Sequence, residues 1–151
     1  MVIYDEKVKE RLKNGETTPI ERFRTEICEA AAKLLPQMTV FYSAQEQGSP
    51  KPAVFARLEK LEMRKKLGGI EAVTMKVALR FLPKRAADDA ENELFMTAAA
   101  EVAEQLGGYM AAFSTERSEK GATAWLTVCF EQKSAEGDSG GIMRVLELNE
   151  E

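Results

Sequence analysis

Two hydrophobic rhythms run along this chain. From Ile70 to Leu82 the period is two: Val73, Met75, Val77, Leu79 and Phe81 alternate with Thr74, Lys76, Ala78 and Arg80. That predicts a strand with one buried and one partly wet face, stopped by Pro83. Ala53 to Met63 predicts the strand before it. Val54, Ala56 and Leu58 hold one parity, and Leu61 and Met63 take the other. The change of phase implies a bulge, or a strand that leaves the core as a projecting arm. With Gly68-Gly69 at the turn and a polar Pro/Gly lead-in, Gln45 to Lys84 reads as one β-hairpin unit. Tyr109–Arg117 and Ala122–Glu131 predict an antiparallel pair around Ser118-Glu119-Lys120-Gly121. Ala124, Leu126, Val128 and Phe130 share one face there, and Trp125 lies on the other with Thr123 and Thr127. Met38–Ser43 is β-rich and short, which suits a sheet edge.

The second rhythm is helical. Thr18 to Leu35 carries Ile20, Phe23, Ile27, Ala30, Ala31 and Leu34 as an apolar stripe. Thr18 is the expected N-cap, Pro19 suits the first helical position, Glu21 completes a capping box, and Pro36 ends the helix. Ala86 to Leu106 is the second main helix, with Ala90, Leu94, Ala98, Val102 and Leu106 every four residues and Phe95 and Ala99 widening the stripe. Asp88, Asp89, Glu91 and Glu93 crowd its start, which complements the positive end of the helix, and Gly107-Gly108 ends it. Tyr4–Lys13 predicts a short helix through Tyr4, Val8 and Leu12, ended by Gly15. Its length and charge make it dependent on docking to the body or to a neighbouring subunit.

The predicted order is α-α-β-β-β-α-β-β. It defines an α+β fold: a mostly antiparallel sheet with two main helices packed on one face. The 151 residues fit a single domain, with 1–16 as the short N-terminal helix and 134–151 as a flexible linker and C-terminal tail. The linker reading rests on Gly137, Asp138, Ser139, Gly140 and Gly141. Ile142, Met143, Val145, Leu146 and Leu148 follow as an apolar segment, expected either to fold back as an edge strand or to reach a neighbouring subunit.

Composition mainly removes chemistry. Hydrophobic content is 44% and charged content 30%, ordinary values for a globular domain. The net charge of −4 argues against non-specific nucleic-acid binding, which relies on clustered Lys and Arg. There is no histidine, so the usual general base near neutrality and the commonest metal ligand are absent. Cys28 and Cys129 are too few for a tetrahedral zinc site and are expected as small buried apolar groups. Gly68-Gly69 and Gly107-Gly108 lack the spacing and the lysine of a phosphate-binding loop. Asp88-Asp89 at a helix start is expected to cap rather than to catalyse. No residue set nominates a reaction, so the expectation is a non-enzymatic protein without cofactors or metals. No apolar run approaches the ~20 residues of a membrane span. Met1–Glu6 shows no basic region followed by an apolar stretch, and a cytoplasmic protein is expected.

One stretch hints at identity. Gln47-Gly48, Lys51-Pro52-Ala53-Val54-Phe55-Ala56-Arg57-Leu58, Arg64-Lys65-Lys66-Leu67-Gly68 and Val77-Ala78-Leu79-Arg80-Phe81-Leu82-Pro83-Lys84 occur in that order. In order and spacing they resemble a family of small phage tail terminator proteins, found in tailed phages, prophages and phage-tail-like particles of Gram-positive bacteria. The resemblance extends more weakly through Ala86–Leu106, Ala122–Phe130 and Met143-Arg144-Val145-Leu146, and so covers most of the chain. Phe81-Leu82-Pro83 departs from the family's frequent Tyr-Phe-Pro, and a histidine common in that strand is replaced here. The resemblance implies a structural subunit of a homo-oligomer, typically a hexameric ring. That ring caps the head-proximal end of the tail tube, stops its growth, and touches the tube protein, with a sheath or head connector as further candidate neighbours. The implied location is the virion or phage-tail-like particle, assembled in the bacterial cytoplasm. Other readings are a head-tail connector or tail-completion subunit, a bacterial module binding a peptide along an edge strand, and an enzyme using carboxylates.

A ring closes through two unlike patches per subunit. Gln47, Lys51, Arg57, Arg64, Lys65, Lys66, Asp88, Asp89, Trp125, Ile142, Met143 and Leu146 are the interface candidates, with the basic turn Arg64–Lys66 set against the acidic helix start Asp88–Glu93. The competing reading of that turn is a solvated hairpin end. Trp125 is expected half-buried against the core, with an interface anchor as its other reading.

Overall fold

The computed structural model describes residues 1–43 and 51–133. Their elements run β1 (Val2–Ile3), α1 (Glu6–Asn14), α2 (Pro19–Leu34), β2 (Thr39–Phe41), β3 (Ala53–Lys66), β4 (Ile70–Leu82), α3 (Asp89–Leu106), a short 3₁₀ turn (Gly107–Tyr109), β5 (Met110–Ser118) and β6 (Gly121–Lys133). Six strands form one sheet in the order β1-β2-β3-β4-β6-β5. β1, β2 and β3 are parallel, and the other pairings are antiparallel. This is the expected α+β fold.

Register explains which face the helices cover. Val54, Ala56 and Leu58 of β3 lie opposite Phe81, Leu79 and Val77 of β4. Those three lie opposite Ala122, Ala124 and Leu126 of β6. Small residues flank large ones in the first two rows, so the surface there stays shallow enough for a helix layer. Phe81 and Phe95 of α3 stack at 5.0 Å between ring centroids. Val40, Ile27, Ala31 and Val102 complete the same buried cluster. Alanines 98, 99 and 103 bring α3 close to the strands.

The phase change in β3 is a bulge. Leu58 pairs with Val77 and Lys60 with Lys76, so Glu59 is the extra residue. Leu61 and Met63 then stand opposite Met75 and Val73, back on the helix-side face. β3 also leaves the core: beyond Leu58 its residues are exposed, up to Lys66. β3 beyond Leu58 thus forms an exposed arm, whereas β4 stays buried to Val73 and Phe130 of β6 still packs on Phe23 of α2. The arm's turn uses Gly68 and Gly69, both in the left-handed region (φ 80° and 72°), which costs glycine little.

Local signals at the helix ends behave as expected. Thr18 Oγ1 accepts from the Glu21 amide at 3.1 Å, and Glu21 Oε1 accepts from the Thr18 amide at 3.0 Å. Asp88 caps α3 by accepting from the Glu91 amide at 3.0 Å, and Gly15 ends α1 with φ 70°. α1 docks on the chain's own body: Val8 enters the core, and Arg11 meets Glu21 at 2.7 Å. The Tyr4 hydroxyl just before it donates to Glu29.

Five expectations need correction. A two-residue strand, β1, precedes α1, because Val2 and Ile3 find parallel partners in Val40 and Phe41. The Met38–Ser43 strand is therefore not an edge: β1 covers it. α1 begins at Glu6, not Tyr4, since Tyr4 turns inward against Tyr42 (5.7 Å between rings). On α3 the buried face is Asn92, Phe95, Ala98, Ala99, Val102, Ala103 and Leu106. Ala90 and Leu94 point to solvent, because period four drifts off a 3.6-residue helix. Cys28 is buried, but Cys129 is exposed, as it shares the face of Trp125 rather than that of Val128.

Candidate functional site

The sheet has helices on one side, and its other face carries the chemistry of interest. Odd positions of β6 and even positions of β4 point there: Thr123, Trp125, Thr127 and Cys129 beside Ala78, Lys76 and Thr74. At the base of this face Phe41, Ala53 and Phe55 form a second buried cluster with Ile3 and Leu82 packed on it. Phe41 and Phe55 stack at 5.1 Å. Next to that cluster lies an open groove of about 330 Å³, lined by Phe55, Arg57, Glu59, Ala78, Arg80, Leu82, Thr123 and Trp125. Lys76 Nζ sits 6.0 Å from the centre of the Trp125 ring. Three cations and one carboxylate therefore surround an apolar floor. Arg57 reaches Glu59 only loosely, at 3.7 Å.

The arm is a second surface. Leu61, Met63 and Leu67 are exposed there, Leu67 by 95%. Lys60 and Glu62 pair at 2.6 Å on its edge. That hydrogen bond and charge raise the lysine pKa and lower that of the glutamate. Lys66 reaches past β4 to Glu131 of β6.

The expected interface residues fall into separate groups. Arg57 and Trp125 meet in the groove. Arg64, Lys65 and Lys66 are exposed at the arm's end. Asp88 and Asp89 lie at the other end of β4, about 40 Å away for 13 residues at roughly 3.3 Å each. Asp88 is engaged as a cap, and Asp89 binds Arg117 at 2.8 Å. Lys51 is exposed just before β3. Gln47, Ile142, Met143 and Leu146 lie outside the described residues. Phe55, Lys76, Arg80 and Leu82 were not nominated by sequence. For Lys76, Arg80 and Leu82 the signal was the even-numbered face of the Ile70–Leu82 run, where Ala78 and Leu82 are apolar yet out of phase with the core.

Away from these surfaces, ionisable groups are structural. Burial pushes the Cys28 thiol and the Tyr42 hydroxyl each up to about 12, with Arg24 pulling both the other way. Arg24 lies over the Tyr42 ring at 4.1 Å and donates to the Tyr42 carbonyl at 2.6 Å. Among the described residues no group of three His, Cys, Asp or Glu side chains could hold a metal ion, and no helix is long and apolar enough to cross a membrane. No protein-family model matches the chain, and no curated protein matches it either.

Proposed function

We propose that this chain is a phage tail terminator subunit. In this reading copies of it close a ring, six in the family it resembles, on the head-proximal end of a tail tube. The ring stops tube polymerisation and offers its far side to a head connector, with a sheath as a further possible neighbour. The particle is a phage or a phage-tail-like assembly.

The observation that carries the reading is the surface left over from the core. A domain that worked alone would gain nothing from a strand β3 that runs past the core with Leu61 and Met63 exposed and Leu67 exposed at its turn, nor from a half-buried tryptophan on a sheet face with no helix over it among the described residues. Contiguous exposed apolar surface of this kind marks interaction sites. The ordered resemblance from Gln47 to Lys84 supplies the particular assembly. Electron microscopy of the native particle, with gold-labelled antibody to this chain, tests the proposal. Label at one end of the tube, on the head-proximal side, is the expected result. Label along the tube, at the opposite end, or on no particle would reject it.

A further inference from the structure

We infer that the open sheet face of one copy seats the outer face of α3 from a second copy. The inference deepens the ring reading, because it supplies the two unlike patches that a closing ring needs.

The sheet contributes an apolar floor and a cationic rim. Phe55 and Ala78, both buried, and the half-buried Leu82 and Trp125 form the floor, and Arg57, Lys76 and Arg80 stand around it, with Glu59 beside Arg57 leaving a net charge of +2. α3 contributes the complement. Its sequence, Asp89 to Leu106, contains five carboxylates and neither lysine nor arginine. Its inner face is fully used against its own sheet. Its outer face presents Ala90, Thr97 and Ala100 with Glu93, Glu101 and Glu104 interleaved among them, all exposed. Leu94, 49% exposed, lies at the edge of that face. A helix face studded with carboxylates and edged by one leucine is complementary in charge to a groove ringed by guanidinium and ammonium groups. A helix laid there would convert a two-layer fold into the three layers that a sheet with apolar residues on both faces favours.

The contact cannot form within one copy, since α3 packs on the opposite face of its own sheet. The partner is therefore another copy. The charges facing one another across the contact steer and orient the two copies. Association should weaken as salt rises.

Trp125 is the chain's only tryptophan and lies on the receiving face, so its fluorescence reports the contact. The full chain is followed by sedimentation and by tryptophan emission up to millimolar concentration. The expected result is self-association with a matching blue shift of Trp125. Glu101→Lys with Glu104→Lys, on the last turns of α3 where cations suit the helix end, should weaken association about tenfold or more and abolish the shift. Arg57→Glu with Arg80→Glu should do the same. All four reversals in one chain should restore both signals, which a merely misfolded variant would not. Association without any change at Trp125, a chain monomeric throughout, or a fourfold variant as weak as either pair would overturn the inference. If tubes are labelled at their ends while Trp125 stays exposed, the terminator reading stands and this contact falls. If the contact forms but the tubes are unlabelled, the reverse holds.

Discussion

The two faces of the central sheet are built from the same strands, yet they follow different rules. On the helix side every row from Val54-Phe81-Ala122 to Leu58-Val77-Leu126 is apolar, and the residues from β4 and β6 in them are at most 1% exposed. On the open side apolar residues share rows with charges: Phe55 stands opposite Arg80, and Arg57 opposite Ala78. Strict alternation on one face with mixed content on the other separates what folds the chain from what the folded chain can offer. A substitution on the first face should act on stability, and one on the second on association.

Neighbours in β4 give the sharpest contrast. Phe81→Ala removes a fully buried ring stacked on Phe95 and should cost about 4 kcal/mol, measured by urea unfolding. Arg80→Ala, one residue earlier on the open face, should stay within about 0.5 kcal/mol. Equal costs would show that the open face is part of the core. Gly121→Ala comes next. A Cβ at Gly121 would lie 2.0 Å from the Phe81 carbonyl oxygen, where the backbones of β4 and β6 meet. Crowding there should cost about 3 kcal/mol, seen as a lower midpoint in thermal unfolding monitored by circular dichroism.

A smaller and graded effect is expected with pH. Folding raises the Cys28 thiol from 9.0 to about 12 and the Tyr42 hydroxyl from 10.0 to about 12. Above their unfolded values the native state holds protons that the unfolded state has lost, so stability is full below about pH 9 and falls as pH rises towards 12. Urea midpoints that stay level across that window would count against this burial. The mildest test reads the two thiols. Cys129 on the open face should react with a thiol reagent in the native protein, and Cys28 only after unfolding. Equal native rates would contradict the burial of Cys28.

Much of the fold was legible because local chemistry and periodicity agreed. Thr18 and Glu21 form the capping box their spacing implied, and the alternation in β4 held from Val73 to Phe81, with Ala78 the one even position that is also buried. What escaped depended on partners distant in sequence. Val2 and Ile3 are too few to announce a strand, and become one only beside Val40 and Phe41. Asn92, which stands among the acidic first turns of α3, is fully buried, its amide donating to the Asp88 carbonyl at 2.8 Å. No pattern of polarity predicts that. The surface candidates were legible only one at a time. Arg57 and Trp125 were each nominated, but their meeting in one groove depends on β6 lying beside β4, a pairing of strands that are not consecutive in the chain.

The bulge at Glu59 separates direction from content. It is the one residue of β3 without an opposite number on β4, and bulges bend and twist the strand that carries them. Deleting Glu59 would leave Leu58, Leu61 and Met63 on the face they now occupy and would straighten the strand beneath them. The arm would then display the same side chains along a different bearing. That single deletion makes the angle of the arm a variable independent of its composition.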